Sequence, residues 1–221
     1  MKTNQEYKNA ALAALNGNWA PVVVATIVMY IVSFVVQLIV QPLTALADPE
    51  SEAVMFLAIF VGTMLVSAFV TVPMNVGYYN ALNKLYLDGD DKVTSNMFKI
   101  GFERVLRYAG GMILMTLYVF LWMLLLVVPG IIKAIAYSLT PYILKDYPEL
   151  SVNQAINLSI KMMKGHKMRY FLLTLSFIGW GLLGILTLGI GYIWLIPYMY
   201  TTTAAFYQDV KNEYIANGNM L

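Results

Sequence analysis

Two rows of hydrogen-bonding side chains set into apolar stretches are the first candidates for chemistry. Thr26, Tyr30, Ser33 and Gln37 recur every three or four residues, the spacing that lines one face of a helix. Thr63, Ser67, Thr71 and Asn75, each four apart, do the same further along. In hydrocarbon, hydroxyls and amides without partners cost free energy, so both faces turn toward protein or water. The rows read either as interhelical hydrogen-bond glue, about 0.6–2 kcal/mol per contact, or as a polar groove for a small molecule or lipid headgroup. Packing of Ser33 and Gln37 against Ser67 and Thr71 is the expected arrangement. Lys133 is the next candidate, an isolated cation at the expected first turn of a span. The helix dipole disfavours a cation there by about 0.3–1 kcal/mol. It therefore either snorkels to lipid phosphate or meets a carboxylate of Asp48, Glu50 or Glu52, or an anionic ligand.

Catalytic constellations are scarce. The chain has no cysteine and one histidine, which removes thiolate chemistry, disulfides and most metal sites. The twelve carboxylates all fall in expected loops, interfacial helices or the tail, so paired intramembrane aspartates are absent. Paired histidines one helical turn apart are absent too. Asp88-Gly89-Asp90-Asp91 resembles a calcium loop, but Lys92 replaces the third oxygen ligand and no glutamate closes it, so it reads as a solvated turn. His166 stands among Lys164, Lys167 and Arg169, neighbours that disfavour protonation and metal binding alike. No enzyme activity, cofactor or metal is expected, and nucleic acid is not among the expected partners.

The elements that carry these residues are apolar helices. Hydrophobic residues make up 60% and charged residues 12%, with a mean hydropathy of +0.67, far from the composition of soluble domains. An all-α polytopic membrane protein is expected, with six transmembrane helices arranged as three hairpins. Residues 1–78 hold the first interfacial helix and hairpin, 79–147 the second, 148–207 the third, and 208–221 a polar tail. The first interfacial helix, residues 3–16, carries Tyr7, Ala11, Ala14 and Leu15 on one face, with Asn4, Lys8 and Asn9 elsewhere, and ends at Asn16-Gly17-Asn18. Trp19 anchors the interface. Spans follow at 20–40 and 53–78; the first is too long for a signal-peptide core and reads as an uncleaved span.

A second amphipathic helix starts at Ser95, an N-cap type, and shows an apolar face of Phe98, Phe102, Val105 and Leu106. Span 111–128, a Pro129-Gly130 turn and span 131–144 come next. Ser151 caps the third amphipathic helix, whose face is Val152, Ile156, Ile160 and Met163. The uncharged run 170–207 is too long for one crossing and right for two short ones, reversed near residues 186–191. Pro73, Pro141 and Pro197 take matching places in the three returning spans, a repeat of layout rather than of identity.

Lys and Arg total 14, and all but Lys133 lie on the side of the termini and the two long polar loops. The positive-inside rule then puts both termini in the cytoplasm, with the acidic loop 41–52 outside. Lys99, Arg104, Arg107, Lys161, Lys164, Lys167 and Arg169 are the expected contacts to anionic headgroups, at roughly 1 kcal/mol per well-placed charge.

The order Leu15-Asn16-Gly17-Asn18-Trp19, Val128-Pro129-Gly130-Ile131-Ile132-Lys133, Met163-Lys164-Gly165-His166-Lys167, Ser176-Phe177-Ile178-Gly179-Trp180, Leu186-Thr187-Leu188-Gly189-Ile190-Gly191 and Ile196-Pro197-Tyr198 resembles the bacterial integral membrane family catalogued as domain of unknown function 975. The resemblance extends over nearly the whole chain and is most specific in its C-terminal half. It implies a multi-pass protein of a bacterial inner membrane and no assigned activity. The leading expectation is a scaffold or accessory subunit, with a protein partner or second copy beside the lipids. A transporter or channel for a small amphipathic or lipidic molecule is the alternative, and an immunity or sensing protein for membrane-active peptides a weaker one.

Overall fold

A computed structural model describes residues 2–46 and 53–218, and every regular element among them is helical. Helix α1 (Asn4–Leu15) opens with a capping box: Thr3 Oγ1 accepts from the Glu6 amide at 3.3 Å, and the Glu6 carboxylate accepts from the Thr3 amide at 2.6 Å. Such reciprocal pairing satisfies two donors that a helix start leaves open. Gly17, at φ 79°, turns the chain into α2 (Trp19–Leu46). Tyr7, Ala11 and Leu15 are buried as expected, yet Lys8 is buried with them, only 8% exposed.

The second span carries a π-helical turn. Helix α3 (Ala53–Val66) passes through a π-helical turn at Ser67–Thr71 into α4 (Val72–Asp88), where Pro73 occupies the first turn. The ladder is continuous here, the Val72 amide bonding to the Ser67 carbonyl, so the missing N–H of Pro73 removes one bond from it, next to the π-helical turn. Helix α5 (Val93–Glu103) starts two residues before Ser95 and buries Val93, Asn96, Met97, Ile100 and Gly101 against α4. Its other face, Phe98 and Phe102, is left uncovered by protein, the two rings stacked at 6.3 Å. Gly77 of α4 and Gly101 of α5 meet backbone to backbone, an approach that any side chain would block.

Helix α6 (Val105–Leu125) and α7 (Val127–Tyr137) form a hairpin reversed at Leu126, three residues before the expected Pro129-Gly130 turn. Pro129 sits instead in the first turn of α7, and Gly130 lets the Met123 backbone approach. The expected fourth span is two helices, because the chain breaks at Ser138 and resumes as α8 (Thr140–Asp146) with Pro141 in its first turn. Ser151 caps α9 (Val152–Met162) through a second capping box with Gln154, as expected, and Ile156 and Met163 are buried. The third unit breaks as well. Helix α10 (Lys167–Leu175) and α11 (Ile178–Leu186) are separated at Ser176, and the expected 186–191 reversal is held by Thr187, which donates to the Gly184 carbonyl and accepts from the Gly191 amide, both at 2.9 Å.

Helix α12 (Tyr192–Ala216) continues through Pro197 and is the post against which α1, α2, α4, α9 and α11 pack. Five helical stretches among the described residues are long and apolar enough to cross a membrane: Trp19–Leu38, Val61–Asp88, Val105–Leu125, Val127–Asp146 and Lys167–Leu186. Helix α12 is not among them, since its tyrosines and threonines lower its hydropathy. Those groups are turned into protein: Thr201, Thr202 and Tyr207 are fully buried. The result is an all-α membrane-type fold.

Candidate functional site

The densest polar constellation joins the end of α8 to the end of α12. Asp146 closes α8 with its side chain 11% exposed, and its carboxylate accepts from Lys211 Nζ at 2.7 Å, Tyr207 Oη at 2.8 Å and Lys145 Nζ at 3.3 Å. Tyr207 and Lys211 are four residues apart on α12, so one helix face presents both donors. Burial works against the charge of Lys211, but Asp146 and Tyr147 outweigh it and hold the ammonium above the usual lysine range. Arg107 is spent in the same region: its guanidinium donates to the carbonyls of Leu144 at 3.1 Å and Tyr147 at 2.9 Å. It caps carbonyls that the end of α8 would leave open.

A tyrosine-lined seam runs from this junction between α4, α8 and α12. Tyr142 stacks on Tyr207 at 4.8 Å, Tyr79 lies 6.1 Å from Tyr142, and Tyr79 Oη donates to Tyr200 Oη at 3.3 Å. Asn80 donates to the carbonyls of Val76 at 2.9 Å and Pro141 at 3.1 Å, tying α4 to the first turn of α8. Gln208 donates to Asn83 at 2.9 Å one level along. Four buried atoms of this seam have no hydrogen-bond partner among the described residues: Asn80 Oδ1, Thr140 Oγ1, Tyr142 Oη and Thr201 Oγ1.

Helix α1 closes the other flank of α12. Tyr7 Oη donates to Asp209 at 2.5 Å and its ring meets Phe206 at 5.5 Å. Lys8 donates to the Ser176 carbonyl at 2.9 Å, with its ammonium 4.3 Å from the Phe177 ring centre. The cation therefore caps the C-terminal end of α10, where a helix dipole favours it, while burial lowers its pKa.

The eight residues of the two polar rows do not line one groove. Thr26 is fully buried and meets Tyr78 of α4 at 2.6 Å, oxygen to oxygen, while also donating to the Val22 carbonyl. Ser33 and Asn75 bond back to the carbonyls of Met29 and Thr71 on their own helices. Tyr30 and Gln37 point outward and are exposed, so Gln37 does not pack as expected. Thr63, Ser67 and Thr71 are half-buried along α3 and the π-helical turn. The first row does not form one face toward protein, since Thr26 is buried while Tyr30 and Gln37 are exposed, and Ser33 and Asn75 are engaged on their own helices.

Lys133 places its ammonium 4.5 Å from the Trp122 ring centre, across the α6–α7 hairpin. Its expected partners Asp48, Glu50 and Glu52 lie outside the described residues. The basic residues expected at headgroups separate into four situations. Arg107 is occupied internally, Lys99 and Arg104 are exposed beside Phe98 and Phe102, with Arg104 3.9 Å from Glu103, and Arg169 is exposed early in α10. Lys161, Lys164 and His166 line a cavity of about 410 Å³ with Glu213, which lies 3.6 Å from His166. Lys167 instead lines a groove of about 350 Å³ with Met168, Phe171, Val128, Ile131, Ile132 and Ile135. In the acidic turn, Lys84 at 2.6 Å and the Lys92 amide at 3.0 Å engage Asp90, and these donors, Lys84 foremost, hold its carboxyl well below the usual range. No group of three His, Cys, Asp or Glu among the described residues could hold a metal.

Residues 92–214 match the family model described as Protein of unknown function (DUF975). The chain belongs to that family. No curated protein and no solved structure matches it. The match runs from the start of α5 almost to the end of α12, so the resemblance expected over nearly the whole chain is found in its C-terminal part. Within the DUF975 segment lie Arg107, Asp146, Tyr207 and Lys211. Asn80, Tyr7 and Lys8, which brace that segment, lie outside it.

Sequence reasoning missed Asp146, Lys211, Lys8 and Asn80 as a group. Only the Tyr207–Lys211 spacing offered a local signal; Asp146 meets Lys211 across 65 residues of chain.

Proposed function

We propose that this protein is a non-enzymatic scaffold or accessory subunit of a bacterial inner membrane. Both termini face the cytoplasm in this reading, with an even number of crossings, six if every hairpin goes through. Anionic lipids and a protein partner or second copy are the neighbours it implies. The observation that supports it best is the use made of the polar side chains of the first two spans. Thr26 joins α2 to Tyr78 of α4, and Ser33 and Asn75 are spent on carbonyls of their own helices, which leaves these three groups engaged within the protein rather than lining a path.

Reconstitution in vesicles tests the reading. Passage of a fluorescent short-chain lipid or a small amphipathic dye is expected to equal that of protein-free vesicles. A photocrosslinking side chain at Leu182, exposed on α11, is expected to give one protein adduct of defined mass in cells. Passage above background, abolished by Asn80→Leu, sinks the scaffold reading.

The transporter reading draws on one observation, the four partnerless buried atoms around the α8 break. Interrupted helices are where transporters hold their substrates. Tyr142→Phe separates the two readings. If the seam is structural, deleting a hydroxyl with no partner is neutral or stabilising, within about 1 kcal/mol, in a thermal melt of the detergent-solubilised protein. A loss of activity without loss of stability would promote transport.

A further inference from the structure

We propose that the α6–α7 hairpin is a wedge inserted into the cytoplasmic leaflet, an interaction surface for the acyl region beneath anionic headgroups, and that its tip does not reach the opposite face. This inference does not depend on the scaffold reading.

Three observations carry it. Helix α9 lies along the hairpin: Tyr118 donates to Asn153 at 3.0 Å, Ser159 donates to the Ala136 carbonyl at 2.8 Å, and Ile156 packs with Ala136 and Tyr137. The opposite face of α9 exposes Gln154, Asn157 and Lys161. A hairpin running straight through the bilayer would draw that face into hydrocarbon, where amides and an ammonium have no water. At the interface the same face meets water and headgroups.

The second observation is the groove shared by the two ends that hydropathy sets on opposite sides of the membrane. Val128, Ile131 and Ile132 near the hairpin tip line it together with Lys167 and Met168 from the basic ledge. A crossing would hold these ends about 30 Å apart. The break at Ser138 between α7 and α8 gives α7 the freedom to lean toward α10.

The third concerns charge. Lys133 is the one exception to the distribution of the 14 Lys and Arg, and a wedge returns it to the side of the rest. The partner follows from what the hairpin presents. Leu124, Leu125, Leu126, Val127 and Val128 are each more than 60% exposed, an unbroken apolar tip suited to acyl chains. Lys133 and Lys167 flank it, and among the described residues neither meets a carboxylate, which suits phospholipids with anionic headgroups.

The chain contains no cysteine, so introduced cysteines report alone. In the full-length protein in native membranes, Ile132→Cys with Met168→Cys is expected to be joined by a short bis-maleimide. No cross-link overturns the proposal. Lys133→Cys is expected to react with an impermeant maleimide in inside-out vesicles, like Asp90→Cys, or from neither side if sunk in the leaflet. Reaction in spheroplasts, from the side that labels Glu50→Cys, overturns it. A fluorophore on Leu126→Cys in nanodiscs is expected to be quenched at least twofold more by brominated phosphatidylglycerol than by brominated phosphatidylcholine. Equal quenching removes the anionic preference, and none by either puts the tip in water and ends the proposal.

Discussion

Gly77→Val is expected to abolish the folded protein. A Cβ on Gly77 would run into the Met97 carbonyl oxygen and stand 2.9 Å from both Cα and N of Gly101, while a Cβ on Gly101 would strike the Pro73 carbonyl. Every obstacle is backbone, so no rotamer change relieves the clash, and α5 must lift off α4. That separation opens the core in which Met97 and Val93 pack with Leu15, Val22, Tyr78, Leu82 and Leu85. Overpacking costs about 1–3 kcal/mol where side chains can adjust, and more where they cannot. Against a total stability of roughly 5–15 kcal/mol, a loss at or above the top of that range leaves little monodisperse protein in size-exclusion chromatography. Gly110→Ala is the control. Nothing lies within 4 Å of its added Cβ on α6, so it should melt no lower than wild type and gain up to about 1 kcal/mol of helix propensity. Equal behaviour of the two substitutions would show that the α4–α5 contact is not close.

What sequence disclosed is what short segments decide. The first amphipathic helix reads from residue 3 and the third from its Ser151 cap, and both start there because the pairings that fix them, Thr3 with Glu6 and Ser151 with Gln154, span only four consecutive residues. The 186–191 reversal is likewise local, fixed by Gly189 at φ 90° and by the two bonds of Thr187. The breaks at Ser138 and Ser176 were hidden because the flanking residues are as apolar as any continuous span. Tertiary contacts hold them: Lys8, 168 residues away, caps the carbonyl of Ser176. Lys8 itself was misplaced because amphipathicity counts its charge and not its reach. A lysine stem packs well on apolar surface, and a carbonyl and an aromatic face at its tip let the ammonium remain inside. The polar rows failed for a related reason. Helical spacing predicts a shared face but not what each side chain bonds to: Thr26 reaches Tyr78, while Ser33 and Asn75 turn back on their own helices.

Asp146→Leu is expected to cost about 3 kcal/mol, because it strips the carboxylate from a largely buried ammonium and from the Tyr207 hydroxyl together. Breaking one side of a buried pair costs about 3–5 kcal/mol, and the lower end applies because the Lys211 side chain keeps 21% of its surface in solvent. Lys211→Met should cost less, since Tyr207 and Lys145 still donate to Asp146 at 2.8 and 3.3 Å. The double substitution Asp146→Leu with Lys211→Met leaves no orphaned charge and should recover at least about 1 kcal/mol relative to additivity, where independent sites add within about 0.3–0.5 kcal/mol. Alkaline titration gives a second readout. The pKa of Lys211 is raised in the folded protein above its ordinary 10.5, so its contribution is complete below that pH and is lost as pH rises through the higher, folded value. Wild type should therefore lose stability there faster than Lys211→Met. Additive costs in the cycle and parallel pH profiles would together mean that Asp146 and Lys211 are neighbours without coupling. The hold of α12 on α8 would then rest on the stacked rings of Tyr142 and Tyr207 and on the Tyr207–Asp146 hydrogen bond.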